Sequence, residues 1–218
     1  MTPPPMASLL GGWLAVCGLK REAQIWKGAA AIGGGRADRL AERVEAMIME
    51  HRPRGLVSFG LAGALSPALA VADVVVGLGV TDGRRSWDCD PETASALASR
   101  FGVAPTPVYG ADQVAADPAG KAALGVYAAA VDMESQVAAE AARRHGLPLA
   151  VLRIVSDAAH HSLPPAAIAG FREDGGIDVP AVIAALARDP RQLPALLETG
   201  RNSSLAFRRL REVRAKLG

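Results

Sequence analysis

Aromatic residues are scarce in this chain, with three Trp, two Tyr and four Phe among 218 residues, or 4%. Alanine and other small residues fill that space, as in tightly packed α/β enzymes. Cysteine is nearly absent: Cys17 and Cys89 have no metal-ligand spacing and form no disulfide framework, so a reducing, cytoplasmic setting is expected. Charge of one sign is missing as well. A net +2 is too small to imply nucleic-acid binding. No apolar run approaches a membrane span. The segment from Ser8 to Cys17 looks like a secretory leader, but no Lys or Arg precedes Lys20, so secretion is not expected.

What is present alternates. Trp13–Cys17, Leu56–Phe59, Ala72–Leu78, Thr106–Tyr109, Ala128–Val131 and Leu149–Val155 read as strands, and Gln24–Gly28 and Ala29–Ile32 as two short ones around a turn. Arg36–His51 carries Leu40, Val44, Met47 and Ile48 on one helical stripe. Pro91–Phe101 and Ser135–His145 read as further helices, with Asp82–Asp90 and Gly110–Pro118 as loops. Beyond residue 155 the pattern becomes helical: Pro165–Phe171, Val179–Ala187, Leu193–Glu198 and a basic helix from Ser203 to Leu217. Strands alternating with helices, then helices only, imply an α/β protein with a three-layer α/β/α arrangement around a central mixed sheet. One domain, 1–218, is expected, with residues 1–8 a proline-rich, unstructured tail and 201–218 a basic C-terminal helix. Gly33-Gly34-Gly35 before a helix fits a tight turn as well as an anion site.

Two acids end two of the predicted central strands: Glu134 in Val131-Asp132-Met133-Glu134-Ser135, and Asp157 in Arg153-Ile154-Val155-Ser156-Asp157. Ligands of open α/β sheets lie at such carboxyl ends. Either acid alone also fits a helix N-terminus. An apolar strand running straight into a lone acid, twice, is uncommon as capping. Asp-Met-Glu-Ser followed by Arg-x-x-Ser-Asp resembles the signature of the nucleoside phosphorylase and methylthioadenosine nucleosidase family.

The resemblance implies cleavage of a nucleoside at C1′. Asp157 would protonate the departing purine, with Ser156 orienting it. Glu134 would accept from the ribose hydroxyls while Met133 packs on the sugar. Gln113 and Val114 fall where the family often places an aromatic group against the base, so stacking is not expected. Arg153 would face the nucleophile, and Gly60, Ala62 and Gly63 match the family's Gly-x-Ala-Gly turn, whose amides can hold an anion. Glu22 resembles the general base of the nucleosidases. Its neighbours Lys20 and Arg21 depart from the usual acidic run and tip the expectation toward phosphate. No cofactor is implied beyond phosphate as co-substrate, and no metal: His160-His161 lacks partner acids at ligand spacing.

Only about fifteen residues separate the first strand from the triple glycine, so the family's hairpin is trimmed there. Arg201, Arg208, Arg209, Arg211, Arg214 and Lys216 interleave with Ala206, Leu210, Val213 and Leu217 at the C-terminus. With Gly18-Leu19-Lys20-Arg21-Glu22-Ala23 and Ser58-Phe59-Gly60-Leu61-Ala62-Gly63, these features make the chain most similar to hopanoid-associated phosphorylases. The implied substrate is an adenine nucleoside with a bulky, lipid-linked 5′ group (adenosylhopane), and the implied assembly a homo-oligomer. The basic helix would either dock on its own domain or rest peripherally on anionic lipid of the inner membrane. Two competitors stand: a hydrolase of methylthioadenosine or adenosylhomocysteine using Glu22, and a non-catalytic purine-binding protein.

Overall fold

The computed structural model describes residues 9–33, 37–170, 172 and 174–218. The proline-rich tail, Gly34 and Gly35 lie outside them. Eight strands form one mixed sheet: β1 (Leu14–Cys17), β2 (Ala30–Ile32), β3 (Leu56–Ala64), β4 (Val74–Thr81), β5 (Ser86–Asp88), β6 (Thr106–Gly110), β7 (Ala130–Asp132) and β8 (Leu149–Asp157). Its order is β2-β1-β3-β7-β6-β4-β5, and β8 pairs with both β3 and β4. The pairings β3–β7–β6–β4–β8–β3 therefore close a ring, with β1 and β2 extending it from the first half of β3. β3 leaves β1 after Ser58 and reaches β7 at Gly63. The site lies in the gap between those two partners.

Helices α1 (Lys20–Trp26), α2 (Ala37–His51), α3 (Pro91–Phe101), α4 (Pro118–Leu124), α5 (Ser135–His145), α6 (Pro165–Ala169), α7 (Val179–Arg188) and α8 (Leu193–Ala215) cover the sheet. α2 packs on α5 and α1 on α8, each pair also touching the sheet. Local signals explain several boundaries. Asp90 accepts from Thr93 N at the start of α3, and Gly102 in the left-handed region (φ 67°) ends it. Asp117 caps α4 by accepting from Gly120 N. The core is aliphatic, with Leu14, Val16, Leu56, Phe59, Leu152 and Ile154 fully buried.

Four expected boundaries differ. Residues 24–26 belong to α1 rather than to a strand, because Glu22 turns back to the Leu19 amide and so starts a helix. Residues 60–63 continue β3 as strand, paired along β8. The polar loop after Asp82 contains β5, whose Trp87 is buried against β4. The two expected C-terminal helices are one 23-residue helix, α8, running through Gly200. Its stripe of Ala206, Phe207, Leu210 and Val213 is buried on the domain, and Arg214 donates to Trp26 O (2.7 Å). Among the described residues no helix is long and apolar enough to cross a membrane.

Candidate active site

Three carboxylates meet at the switch of β3, and each sits against a glycine. A Cβ on Gly60 would lie 2.4 Å from Glu22 Oε1 and 2.8 Å from Arg153 Nη1. Gly60 also has φ 154°, which side chains rarely adopt. A Cβ on Gly18, just after β1, would come within 2.5 Å of Glu134 Oε1. One on Gly63 would stand 3.0 Å from Asp157 Oδ2. Glycine is needed here so that main chain can touch an acid.

Glu22 lies on the inward side of α1. Its Oε2 accepts from the amides of Gly18 (2.9 Å) and Leu19 (2.8 Å), and its Oε1 from Leu61 N (2.8 Å). The Leu61 amide in the glycine segment is thus committed to Glu22. Burial raises the Glu22 carboxyl above its ordinary range, against the pull of Arg153 and the backbone donors.

Arg153, on β8, is wholly enclosed. Its Nη2 donates to Ser58 Oγ and stands 3.2 Å from Glu134 Oε2, while Nη1 donates to Leu61 O (3.2 Å). Nε is 3.1 Å from Asp132 Oδ2, an ion pair whose angle does not make a hydrogen bond. Ser58 Oγ is 2.8 Å from Ser135 Oγ, which donates to Asp132 Oδ2. The result is a buried polar ring of Arg153, Ser58, Ser135 and Asp132. Asp132 Oδ1 also accepts from Glu134 N and Ser135 N, so it fixes the start of α5 and the position of Glu134 together.

Glu134 is buried, and burial together with Asp132 and Glu22 pushes its carboxyl up to about 8 despite Arg153. A carboxyl raised on folding binds its proton more tightly in the native state. Stability from this source is therefore fullest below about 4.5, its ordinary value, and declines as pH rises toward about 8. The slope is at most about 1.4 kcal/mol per pH unit per proton. Glu22, also raised, acts in the same direction. Thermal unfolding measured from about pH 5 to about pH 8 should show a falling midpoint. Glu134→Gln should flatten the fall, and an unchanged slope in that variant would refute the assignment.

Asp157 closes β8. Its Oδ1 accepts from Ser156 Oγ (2.8 Å), and Ser156 Oγ also lies 3.2 Å from Ala62 O. Oδ2 makes a short ion pair with Lys121 Nζ from α4. Met133 is partly buried, while Gln113 is exposed and Val114 half-buried in the loop between β6 and α4. That loop is tied to the one after β8 by Leu163 N donating to Ala116 O (2.8 Å).

Lys20 and Arg21 do not join this cluster. Successive helical residues point about 100° apart, so with Glu22 inward the other two face away. Lys20 Nζ pairs with Asp174 (2.7 Å) at the surface, its hydrogen bond lowering that carboxyl to about 2. Arg21 lies over the Phe207 ring of α8, 4.2 Å from its centroid. His161 is buried near Thr199 and Glu198, and His160 stays exposed. Sequence reasoning missed Gly18, Ser58, Asp132, Ser135 and Lys121. Asp132 carried a signal, a third acid inside the quoted motif. Lys121, in an ordinary alanine-rich helix, carried none.

A family model described as the phosphorylase superfamily matches residues 103–188. None of the curated proteins matches the chain in sequence. Similar solved structures include futalosine hydrolase of Helicobacter pylori strain 26695, 15% identical, with 87% of this chain and 98% of that one covered at a TM-score of 0.61. S-adenosylhomocysteine nucleosidase from Streptococcus pyogenes, in complex with 5-methylthiotubericidin, is 17% identical, covering 85% and 95% at 0.60. The 5′-methylthioadenosine/S-adenosyl homocysteine nucleosidase of Campylobacter jejuni is 16% identical, covering 85% and 98% at 0.58. At these identities the likeness carries the fold: a mixed α/β architecture of the nucleoside phosphorylase and nucleosidase type.

Proposed function

We propose that the protein hydrolyses the N-glycosidic bond of an adenine nucleoside. The observation that carries hydrolysis over phosphorolysis is the surroundings of Arg153. Its guanidinium is buried against Asp132 and Glu134 and faces Glu22, three acids to one cation. An anionic nucleophile would find the buried cation already paired with Asp132 and Glu134, whereas water would meet Glu22, a base tuned upward by burial. The cations expected to gather phosphate, Lys20 and Arg21, are engaged on other surfaces. The nucleosidases and hydrolase that share the fold support the same choice.

Water held by Glu22 and Arg153 attacks C1′ and gives one proton to Glu22. The C–N bond breaks and its electron pair passes to the base. As charge builds on the base, Asp157, a carboxylate until then, relays to it a proton from the Lys121 ammonium hydrogen-bonded to Oδ2. Glu22 then loses its proton to solvent, and Lys121 recovers one. Glu134 holds the ribose hydroxyls, with Met133 against the sugar face.

In this reading the 5′ end of the ribose held by Glu134 points toward Gly18, whose main chain lies against that carboxylate. There Gly175 O accepts from Lys20 N (2.9 Å), and Ile177 just before α7 and Val179 and Ile183 on it are exposed. That apolar exposure suits the large lipid-linked 5′ group of an adenosylhopane-type substrate. In that case the enzyme works in the cytoplasm, as a homo-oligomer, with peripheral contact to the inner membrane. Adenine release from methylthioadenosine and from nucleosides with longer 5′ alkyl groups tests both parts. Release is expected without phosphate, unaccelerated by its addition, and within about twofold of wild type in Lys20→Ala, as for a solvated surface pair. Strict dependence on phosphate would restore phosphorolysis.

A further inference from the structure

The ion pair between Lys121 and Asp157 joins residues 36 positions apart in sequence. Lys121 is 0% exposed although α4 is a short surface helix. Its ammonium has three protons and three acceptors: Asp157 Oδ2, Ala158 O (2.8 Å) and His161 O (3.0 Å). A neutral amine has only two N–H groups and would leave one buried oxygen unpaired. The geometry thus holds Lys121 as a cation and Asp157 as its carboxylate. With all three protons used, Lys121 touches no ligand and acts only through Asp157.

We propose that Lys121 is a positioning residue that sets the base preference of the site by keeping Asp157 an acceptor-only group when the nucleoside binds. This rests on the proposed function, in which Asp157 meets the purine edge bearing N7. On that edge adenine presents an N6–H donor beside the N7 acceptor, whereas a 6-oxopurine presents two acceptors. An ionised carboxylate pairs with the first and opposes the second. Ser156 already donates to Asp157 Oδ1, so its hydroxyl proton does not supply the donor a 6-oxopurine would need. Without the ammonium, the buried carboxyl takes up a proton and can donate to O6 or N7.

Equilibrium binding of free adenine and free hypoxanthine by calorimetry tests this without requiring turnover. Wild type should prefer adenine. Lys121→Met should narrow that preference by about tenfold or more, the equivalent of one charge-assisted hydrogen bond, with hypoxanthine binding rising. Lys121→Arg, which keeps the cation, should retain the preference. A merely structural lysine would weaken both bases alike and leave their ratio unchanged. If Lys121→Met does not fold, Lys121→Gln, neutral but able to donate, carries the same expectation. An unchanged ratio in a folded, uncharged variant overturns the proposal. Binding of neither base to wild type would overturn the purine reading itself, and the Lys121 assignment with it.

Discussion

Asp157→Asn is expected to lower turnover on an adenine nucleoside by about 10²–10⁴-fold, the usual contribution of a positioned acid. The amide keeps the shape of the carboxyl, and its oxygen can still accept from Lys121. It cannot take up a proton on one side and pass it to the base on the other. The loss should fall on kcat more than on KM, because a hydrogen bond to the base survives in the ground state. Removing the negative charge from a buried pair also weakens the fold, by up to about 3–5 kcal/mol when the remaining charge is left alone. Rates therefore need to be measured well below the variant's unfolding midpoint. Turnover near that of wild type would take Asp157 out of the mechanism.

Glu22→Gln should be as damaging, for a reason visible in its hydrogen bonds. The carboxylate accepts three amides, from Gly18, Leu19 and Leu61. A glutamine has one accepting oxygen, and its NH₂ would point at an N–H donor on whichever side it occupies. The variant loses the base and leaves at least one buried amide without a partner. The expected loss is about 10²–10⁴-fold from chemistry, with a lower unfolding midpoint besides. The pH profile separates the two effects. A base must be deprotonated, and burial raises Glu22. Wild-type activity should therefore fall on the acid side from above the ordinary carboxylate range, and the residual activity of the variant should lack that limb. A variant that keeps it would assign the base to another group.

How much of this site could be read from the chain depended on how local each interaction is. Glu134 and Asp157 are legible because each stands at the carboxyl end of an apolar strand, and strand ends in α/β sheets are where side chains escape the core. Glu22 was legible as a candidate but not in its commitments. Its partners Gly18 and Leu19 are adjacent in sequence, while Leu61 belongs to a strand reached only across the sheet. The glycine segment at 60–63 shows the limit of composition: its glycines imply a turn, yet they run as strand. They are required by the acids pressing on them from other elements.

The sequence by itself determined the alternation of the longer strands and helices, though not α1, β5 or α4, an aliphatic core at residues such as Leu152 and Ile154, and the two acids at strand ends. Periodicity and local capping suffice for those. Only the tertiary structure decided which charges face one another. Lys20 and Arg21 flank Glu22 in sequence, but helical geometry sends them to Asp174 and Phe207. Lys121 has no local signal in the chain; the closed ring of strands brings α4 against the end of β8 and buries its ammonium on Asp157. Charge along a chain is additive and legible. Charge at a site depends on burial and on distances of a few ångströms between residues far apart in sequence, and those are set by packing.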